Sequence, residues 1–256
     1  MDHKETLIKA AHAGGEILKK YFGQTLNLTI KSTMADFYTE ADIESEKAIL
    51  TILKNKLGTY NIHSEEEGKI DRKSKKTIII DPLDGTNNFV LGIPNFSVSI
   101  AIVDKNETIA GVIYQPMLNQ TYFAEKNKGA ELNGQKIKVN NVLDPDSFTI
   151  AYNCGYKTNR ERVSSVIRNL LASKHKRTLV NWSPSYDYCL LASGKIESVV
   201  TDPGTEIYDY TAGKLIAQEA GAKIMYLSEN KNDSDDNFIL SNNEKTNKYI
   251  LSVIKS

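Results

Sequence analysis

The residues best able to do chemistry lie in one run, Asp81-Pro82-Leu83-Asp84-Gly85-Thr86-Asn87-Asn88-Phe89. Lys76-Thr77-Ile78-Ile79-Ile80 leads into it and reads as a strand buried on both faces. Such a strand delivers two carboxylates, three residues apart, at its C-terminal end. Open α/β sheets commonly bind ligands there. Pro82 stiffens the exit, Gly85 permits a tight turn and Thr86 can start a helix. Two carboxylates with a free carbonyl between them form a hard-oxygen set that suits Mg²⁺ rather than Zn²⁺. The Gly85 and Thr86 amides, at a helix N-terminus, form a site for an anion such as phosphate. Taken alone, the Asp-x-x-Asp-Gly spacing also describes two aspartates that merely cap a turn.

Two other acidic features could join this run. Ser64-Glu65-Glu66-Glu67 follows the short strand Tyr60-Asn61-Ile62-His63; it reads as a solvated loop or as further ligands. Asp209, in Tyr208-Asp209-Tyr210-Thr211-Ala212-Gly213, is either an N-terminal helix residue or a site carboxylate.

The elements that must position these groups follow from periodicity. Helical spacing covers 6–21 and then 39–57, with Gly23 and Gly58 as stops. Residues 24–38 are mixed and polar, extended near 26–30. Strands are expected at 60–63, 76–81, 97–103, 108–115 and 120–125. An Asn133-Gly134 hairpin turn joins 130–132 to 136–139, so 60–139 reads as one sheet. Beyond residue 140 strands (147–153, 177–182, 196–201, 223–227, 238–241) alternate with helices (159–172, 185–193, 206–220, 245–254), an α/β pattern. Asp144-Pro145-Asp146 marks a boundary between lobes 1–143 and 144–256. The polar run 228–237 reads as a surface loop.

Composition excludes several classes. The 256 residues carry 32 basic and 32 acidic side chains. That neutrality argues against nucleic-acid binding and against a polybasic membrane-surface protein. The uncharged stretch 85–103 is interrupted by polar residues and Pro94, so it reads as a loop and buried strand rather than a membrane span. The Met-Asp-His-Lys-Glu start has no apolar signal core. Cys154 and Cys189 read as reduced, buried thiols of a cytoplasmic protein. EF-hand spacing, a Walker A loop, an HExxH helix and a GxSxG elbow do not occur. The four histidines are scattered, with His63 nearest the acidic run. A haloacid-dehalogenase-type Asp-x-Asp-Gly-Thr motif does not fit, because one residue too many separates the aspartates.

Taken together, these segments resemble the inositol monophosphatase family, which includes fructose-1,6-bisphosphatases. The acidic pair is Glu65-Glu66, the Asp-Pro-hydrophobic-Asp-Gly-Thr motif is Asp81 to Thr86, and the late motif is Tyr208 to Gly213, with tyrosine in place of tryptophan. The segment from Lys31-Ser32 through Asp36 to Thr39-Glu40-Ala41-Asp42 is similar to the family's mobile catalytic loop and following helix start. The resemblance covers nearly the whole chain. It implies an alternating α-β-α-β-α sandwich of the sugar phosphatase type, an α+β or α/β layered fold with two lobes around one cleft.

The resemblance also implies roles. Glu65, Asp81 and the Leu83 carbonyl would hold a first Mg²⁺, and Asp81, Asp84 and Asp209 a second. Glu65 would contribute to a weaker third ion. Thr86 and Asp42 would orient and deprotonate the attacking water, with Glu66 holding waters nearby; the Gly85 and Thr86 amides would take the phosphate. Ser183 and Asp202 match substrate-contacting positions, and Tyr186 is placed near them. The implied substrate is a small phosphorylated polyol or sugar, with inositol monophosphate first and fructose 1,6-bisphosphate the close alternative. Adenosine 3′,5′-bisphosphate and NADP rank lower. Lithium sensitivity and a homodimer belong to the same resemblance. Two departures weaken a strict inositol preference: Trp182 stands where the family often has glycine, and Asn87 where it often has threonine or serine.

Overall fold

The computed structural model describes residues 3–229 and 231–256; Met1, Asp2 and Asn230 lie outside the described residues. The chain opens with α1 (His3–Tyr21), and α2 (Glu40–Leu57) pairs with it. Between them β1 (Thr29–Ile30) and β2 (Phe37–Tyr38) form a small antiparallel ladder. Thr39 caps α2, and the Asp42 carboxylate accepts the Thr39 N–H in return, a reciprocal box that sets where the helix starts.

Eight strands then build the first sheet. They are β3 (Asn61–Ser64), β4 (Gly68–Ile70), β5 (Lys76–Asp84), β6 (Ser97–Asp104), β7 (Glu107–Gln115), β8 (Gln120–Glu125), β9 (Ala130–Leu132) and β10 (Gln135–Ile137). Their order is β10-β9-β8-β7-β6-β5-β3-β4. Neighbours are antiparallel except β3 and β5, which run parallel. Asn133 and Gly134 both take positive φ, as a tight two-residue hairpin requires. Strand β4 was not expected, because Gly68-Lys69-Ile70 is too short to show a period.

Helix α3 (Thr86–Val90) follows β5. The second half contains β11 (Thr149–Asn153), α4 (Arg160–Ala172), β12 (Arg177–Leu179), α5 (Pro184–Ala192), β13 (Ser198–Thr201), α6 (Ile207–Glu219), β14 (Lys223–Tyr226), β15 (Phe238–Ser241) and α7 (Glu244–Ile254). Its five strands lie in the order β12-β11-β13-β15-β14. The strand expected at 177–182 stops at Leu179; Trp182, three residues later, takes a left-handed φ of 53°.

Side-chain alternation explains the layering, because successive strand residues face opposite ways. Ile78, Ile80, Ile100 and Val112 pack against α1 and α2, while Ile79, Ala101 and Ile113 pack against α5 and α6. In the second sheet Ala151, Val199 and Leu240 also face α5 and α6, whereas Ile150, Tyr152, Val200 and Ile239 face α4 and α7. The result is the expected α-β-α-β-α sandwich, with α5 and α6 shared between the sheets. Such a central layer must be thin in places. A Cβ on Gly213 would lie 2.3 Å from the Tyr188 ring, so the Ala212-Gly213 pair is where α6 meets α5 at close range.

The surface loop expected at 228–237 is tied down over residues 232–236, with Asn230 outside the described residues. The buried Lys214 ammonium donates to the carbonyls of Asn232, Asp233 and Asp235 at 3.2, 3.3 and 3.1 Å. Asp233 accepts the Thr108 N–H from the first sheet, and Asp236 accepts that of Gly204 beside α6. Among the described residues no helix is long and apolar enough to cross a membrane.

Candidate active site

Strand β5 supplies the centre of the site. It does not end at Asp81 but continues to Asp84 through a register shift, with Asp81 opposite Ser99 and Asp84 opposite Ser97. Pro82 has no N–H for the ladder and sits in that irregularity. Its carbonyl accepts the Ser45 hydroxyl of α2 at 2.8 Å. The bulge brings both carboxylates to the same end of the sheet. Asp209, at the start of α6, joins them: one oxygen from each of Asp81, Asp84 and Asp209 lies within 4.8 Å of the others. Sequence spacing could not place Asp209, because only the shared central layer brings α6 to β5.

Burial of these like charges raises their pKa values. Asp84 is pushed up to about 7 by burial, although hydroxyls of Ser183 and Ser97 and the Ser185 N–H favour its charged form. Asp81 and Asp209 are also raised, first by burial, then by neighbouring carboxylates that include Glu65. Isolated anions this close would not stay charged together in a dry site. A cation of hard-oxygen preference relieves both the burial and the repulsion, so the donor set fits Mg²⁺.

Glu65 and Glu66 stand beside the cluster. Glu65 N–H donates to the Ile80 carbonyl, which ties the acidic turn to β5. Lys31 bridges the two carboxylates at 2.8 Å to Glu65 and 2.5 Å to Glu66. Burial raises the Glu66 pKa to about 7, with Glu65 adding to it. Burial opposes the Lys31 charge, but the two glutamates outweigh it and raise its pKa. Glu46 of α2 underpins the turn by accepting from the Ser64 hydroxyl and the Glu66 N–H.

Thr86 and Asp42 are brought together as a pair. The Thr86 hydroxyl lies 3.1 Å from an Asp42 oxygen and 3.1 Å from the Leu83 carbonyl. Asp42 is buried, which pushes its carboxyl up to about 6 despite two bonds from Thr39. Gly85 precedes α3 with φ 93°, and a Cβ there would meet the Asn95 carbonyl at 3.0 Å. No other residue fits that turn without strain.

A cavity of about 560 Å³ opens above these groups. Its walls include Lys31, Asp36, Asn87, Tyr156, Lys157, Trp182, Glu206 and Tyr208 together with Glu65, Asp81, Leu83, Asp84, Gly85, Thr86 and Asp209. Trp182 is 61% exposed at its rim. The left-handed backbone at Trp182 explains why glycine suits that position, since a bulky residue there is strained. The Asn181 carbonyl accepts from the Asn88 amide, and Asn181 donates to Asp187 at 2.7 Å, which fixes this turn against α3.

Some expected substrate contacts are placed elsewhere. Asp202 is fully buried, bonded to Arg162 and to the Tyr152 hydroxyl at 2.7 Å each, and it does not line the cavity. Ser183 is turned inward to hold Asp84. The Tyr186 hydroxyl points to Gln120. His63 meets the Tyr208 ring edge-on at 6.4 Å. Cys189 is buried as expected, but Cys154 is exposed in the cleft wall. Glu206, Tyr156 and Lys157 were missed, because nothing in their local sequence distinguishes them from ordinary surface residues. Glu206 pairs with Lys157 at 2.5 Å.

Comparison with known proteins places this geometry. A family model described as the inositol monophosphatase family matches residues 2–256. The chain belongs to that family. Members are phosphoric monoester hydrolases that depend on metal, and the acidic cluster is one that could bind it. The chain is 30% identical over 246 residues to a fructose-1,6-bisphosphatase/inositol-1-monophosphatase of Thermotoga maritima, covering 94% of this chain and 92% of that one. It is 35% identical over 222 residues to a protein named Nus factor SuhB from Vibrio cholerae, covering 84% and 81%. Among solved structures, the suhB extragenic suppressor protein of Bartonella henselae superposes with a TM-score of 0.91 at 28% identity, covering 98% of both chains. The Thermotoga maritima IMPase gives 0.89 at 30% identity, covering 100% of this chain and 97% of that one.

Proposed function

We propose that this protein is a Mg²⁺-dependent phosphomonoesterase that hydrolyses inositol monophosphate by direct attack of water. The observation that carries the reading is the juxtaposition of the Asp81, Asp84 and Asp209 carboxylates with the Thr86–Asp42 pair. Glu65, Asp81 and the Leu83 carbonyl would hold one ion, and Asp81, Asp84 and Asp209 a second. Glu65 would help hold a third. When bound, Mg²⁺ supplies neutralisation of the phosphoryl oxygens, acidification of water and stabilisation of the leaving oxygen.

The protein's own residues do the rest. The Thr86 hydroxyl orients the attacking water, and Asp42 takes the proton through it. A carboxyl near pKa 6 is suited to hold that proton near neutral pH. Glu66 positions neighbouring waters. The Gly85 and Thr86 amides face the phosphate. Ser97 of β6, and Ser183 and Ser185 at the start of α5, keep Asp84 in place from two separate segments. The lobes 1–143 and 144–256 act as one catalytic unit, because Asp209 comes from the second and the other ligands from the first.

Fructose 1,6-bisphosphate is the second reading, favoured by the double name of the Thermotoga maritima relative and by Lys157 in the cavity wall. A homodimer is part of the same proposal. Exposed Leu91, Ile93, Leu118 and Val180 lie on segments stitched together by Gln115, Asn88 and Asn95, so they can form one apolar surface. The test is a phosphate-release panel with inositol 1-phosphate, fructose 1,6-bisphosphate, adenosine 3′,5′-bisphosphate and NADP, with and without Mg²⁺. Release from the first, lost without Mg²⁺ and in Asp81→Asn, is expected. Acid-stable phosphate on Asp81, or Mg²⁺-dependent turnover by Asp81→Asn, overturns the mechanism.

A further inference from the structure

Asn87 follows the catalytic Thr86, and its amide bonds to the β1–β2 loop and to the second lobe rather than to a carboxylate. Its side-chain amide has two N–H donors, and both are used. One donates to the Ala35 carbonyl at 2.8 Å, the other to the Tyr156 hydroxyl at 2.9 Å. Ala35 lies in the loop between β1 and β2, and Tyr156 in the second lobe between β11 and α4. All three residues line the cavity.

The β1–β2 loop has internal bonds, from Lys31 N–H to the Asp36 carbonyl at 2.8 Å and from Asp36 N–H to the Thr33 carbonyl at 3.0 Å. The Ser32 hydroxyl also meets the Asp36 carboxylate. These hold its shape without attaching it to anything. At its start Lys31 anchors it to Glu65 and Glu66. Further along, Ala35 is tied through Asn87, while the neighbouring Met34 is 81% exposed. A loop with few buried apolar contacts opens at low free energy unless such bonds hold it.

We propose that Asn87 is a positioning residue, a latch that fixes the β1–β2 loop over the cleft and couples it to Tyr156 of the second lobe. The proposal rests on the phosphatase reading for its kinetic consequence only. Because α3 carries both Thr86 and Asn87, the latch sets how closely the loop approaches the phosphate-bearing end of the cavity.

The test combines hydrogen–deuterium exchange with kinetics on the full chain. Asn87→Ala is expected to speed exchange of residues 31–38 about fivefold to tenfold, the effect of losing one or two hydrogen bonds. It should raise KM for the best substrate of the panel by a similar factor and lower kcat less. Tyr156→Phe should show a smaller effect, and the double variant should match Asn87→Ala, since both changes remove one shared bond. Asn87→Asp should behave like Asn87→Ala in exchange, because a carboxylate repels the Ala35 carbonyl. Unchanged exchange over 31–38 in Asn87→Ala, or additive effects in the double variant, overturns the latch. Absence of phosphate release by the wild-type protein would defeat the phosphatase reading instead, and the exchange result would still decide on the latch.

Discussion

Replacing Asp209 by Asn should stabilise the metal-free protein while abolishing its response to Mg²⁺. The ligand oxygens of Asp81, Asp84 and Asp209 lie within 4.8 Å of one another. At that separation a fully ionised pair repels by about 3.5 kcal/mol with an effective dielectric near 20. Asp209 has two such neighbours, but the raised pKa values mean that the cluster is only partly ionised near neutrality. A net relief of about 2 kcal/mol follows, or roughly 4–8 °C in Tm for a chain of this size. Asn preserves the helix box, because its carbonyl oxygen can still accept the Glu206 N–H that Asp209 accepts at 3.1 Å. The assay is thermal unfolding at pH 7.5, in chelator and in millimolar Mg²⁺. Wild type should unfold at a higher temperature with Mg²⁺ than without, because ligand binding to the folded state adds stability. Asp209→Asn should start higher in chelator and gain little from Mg²⁺. A lower Tm in chelator, or a wild-type-sized gain from Mg²⁺, would refute the electrostatic reasoning.

Two further outcomes follow from buried charge elsewhere. Burial pushes Asp187 up to about 8, and its Oδ2 has no hydrogen-bond partner among the described residues. A folded-state pKa above the unfolded value of about 4 means that stability is present at low pH and is lost as pH rises through about 8. Asp187→Asn should therefore flatten the fall in Tm between pH 5 and pH 8; an unchanged profile would count against it. Lys214 lies 4.3 Å from the centre of the Phe238 ring, and burial lowers its pKa to about 8. Its folded pKa is depressed, so the wild type should gain stability as pH rises from about 8 towards 10.5. Lys214→Met should remove that gain and lower Tm at pH 7, since three carbonyls lose their donor. It should also speed hydrogen exchange in residues 231–237, and protection equal to wild type would show that the loop does not depend on Lys214.

Much of the layering was legible because it depends on local patterns. The unbroken β-branched run before Asp81 announced a central strand, and the stops at Gly23 and Gly58 bounded the first two helices. The Asn133-Gly134 hairpin was equally plain. Element ends were less so: β5 runs on through Pro82, where a ladder was expected to fail, because the register shift accommodates the missing N–H. The loop at 228–237 looked solvated from its polarity, yet the carbonyls of Asn232, Asp233 and Asp235 are bonded by the buried Lys214 of α6. Polarity does not reveal which polar groups have found partners inside the protein.

Residue type and spacing determined the chemistry on offer. They specified a hard-oxygen donor set after a buried strand, a threonine beside it and a family-wide order of motifs. The donor run and its threonine are short-range properties, written within a few residues of each other, and the motif order needs only the linear chain. Tertiary structure decided which groups meet. It brought Asp209 to Asp81 and Asp84, turned Ser183 inward and buried Asp202 against a half-exposed Arg162. It also placed Trp182, Tyr156 and Glu206 around the cavity. Those meetings join residues from about 40 to more than 120 positions apart, and they follow from how two sheets share one layer of helices. No local pattern encodes that packing, because it is set by the complementary burial of whole faces.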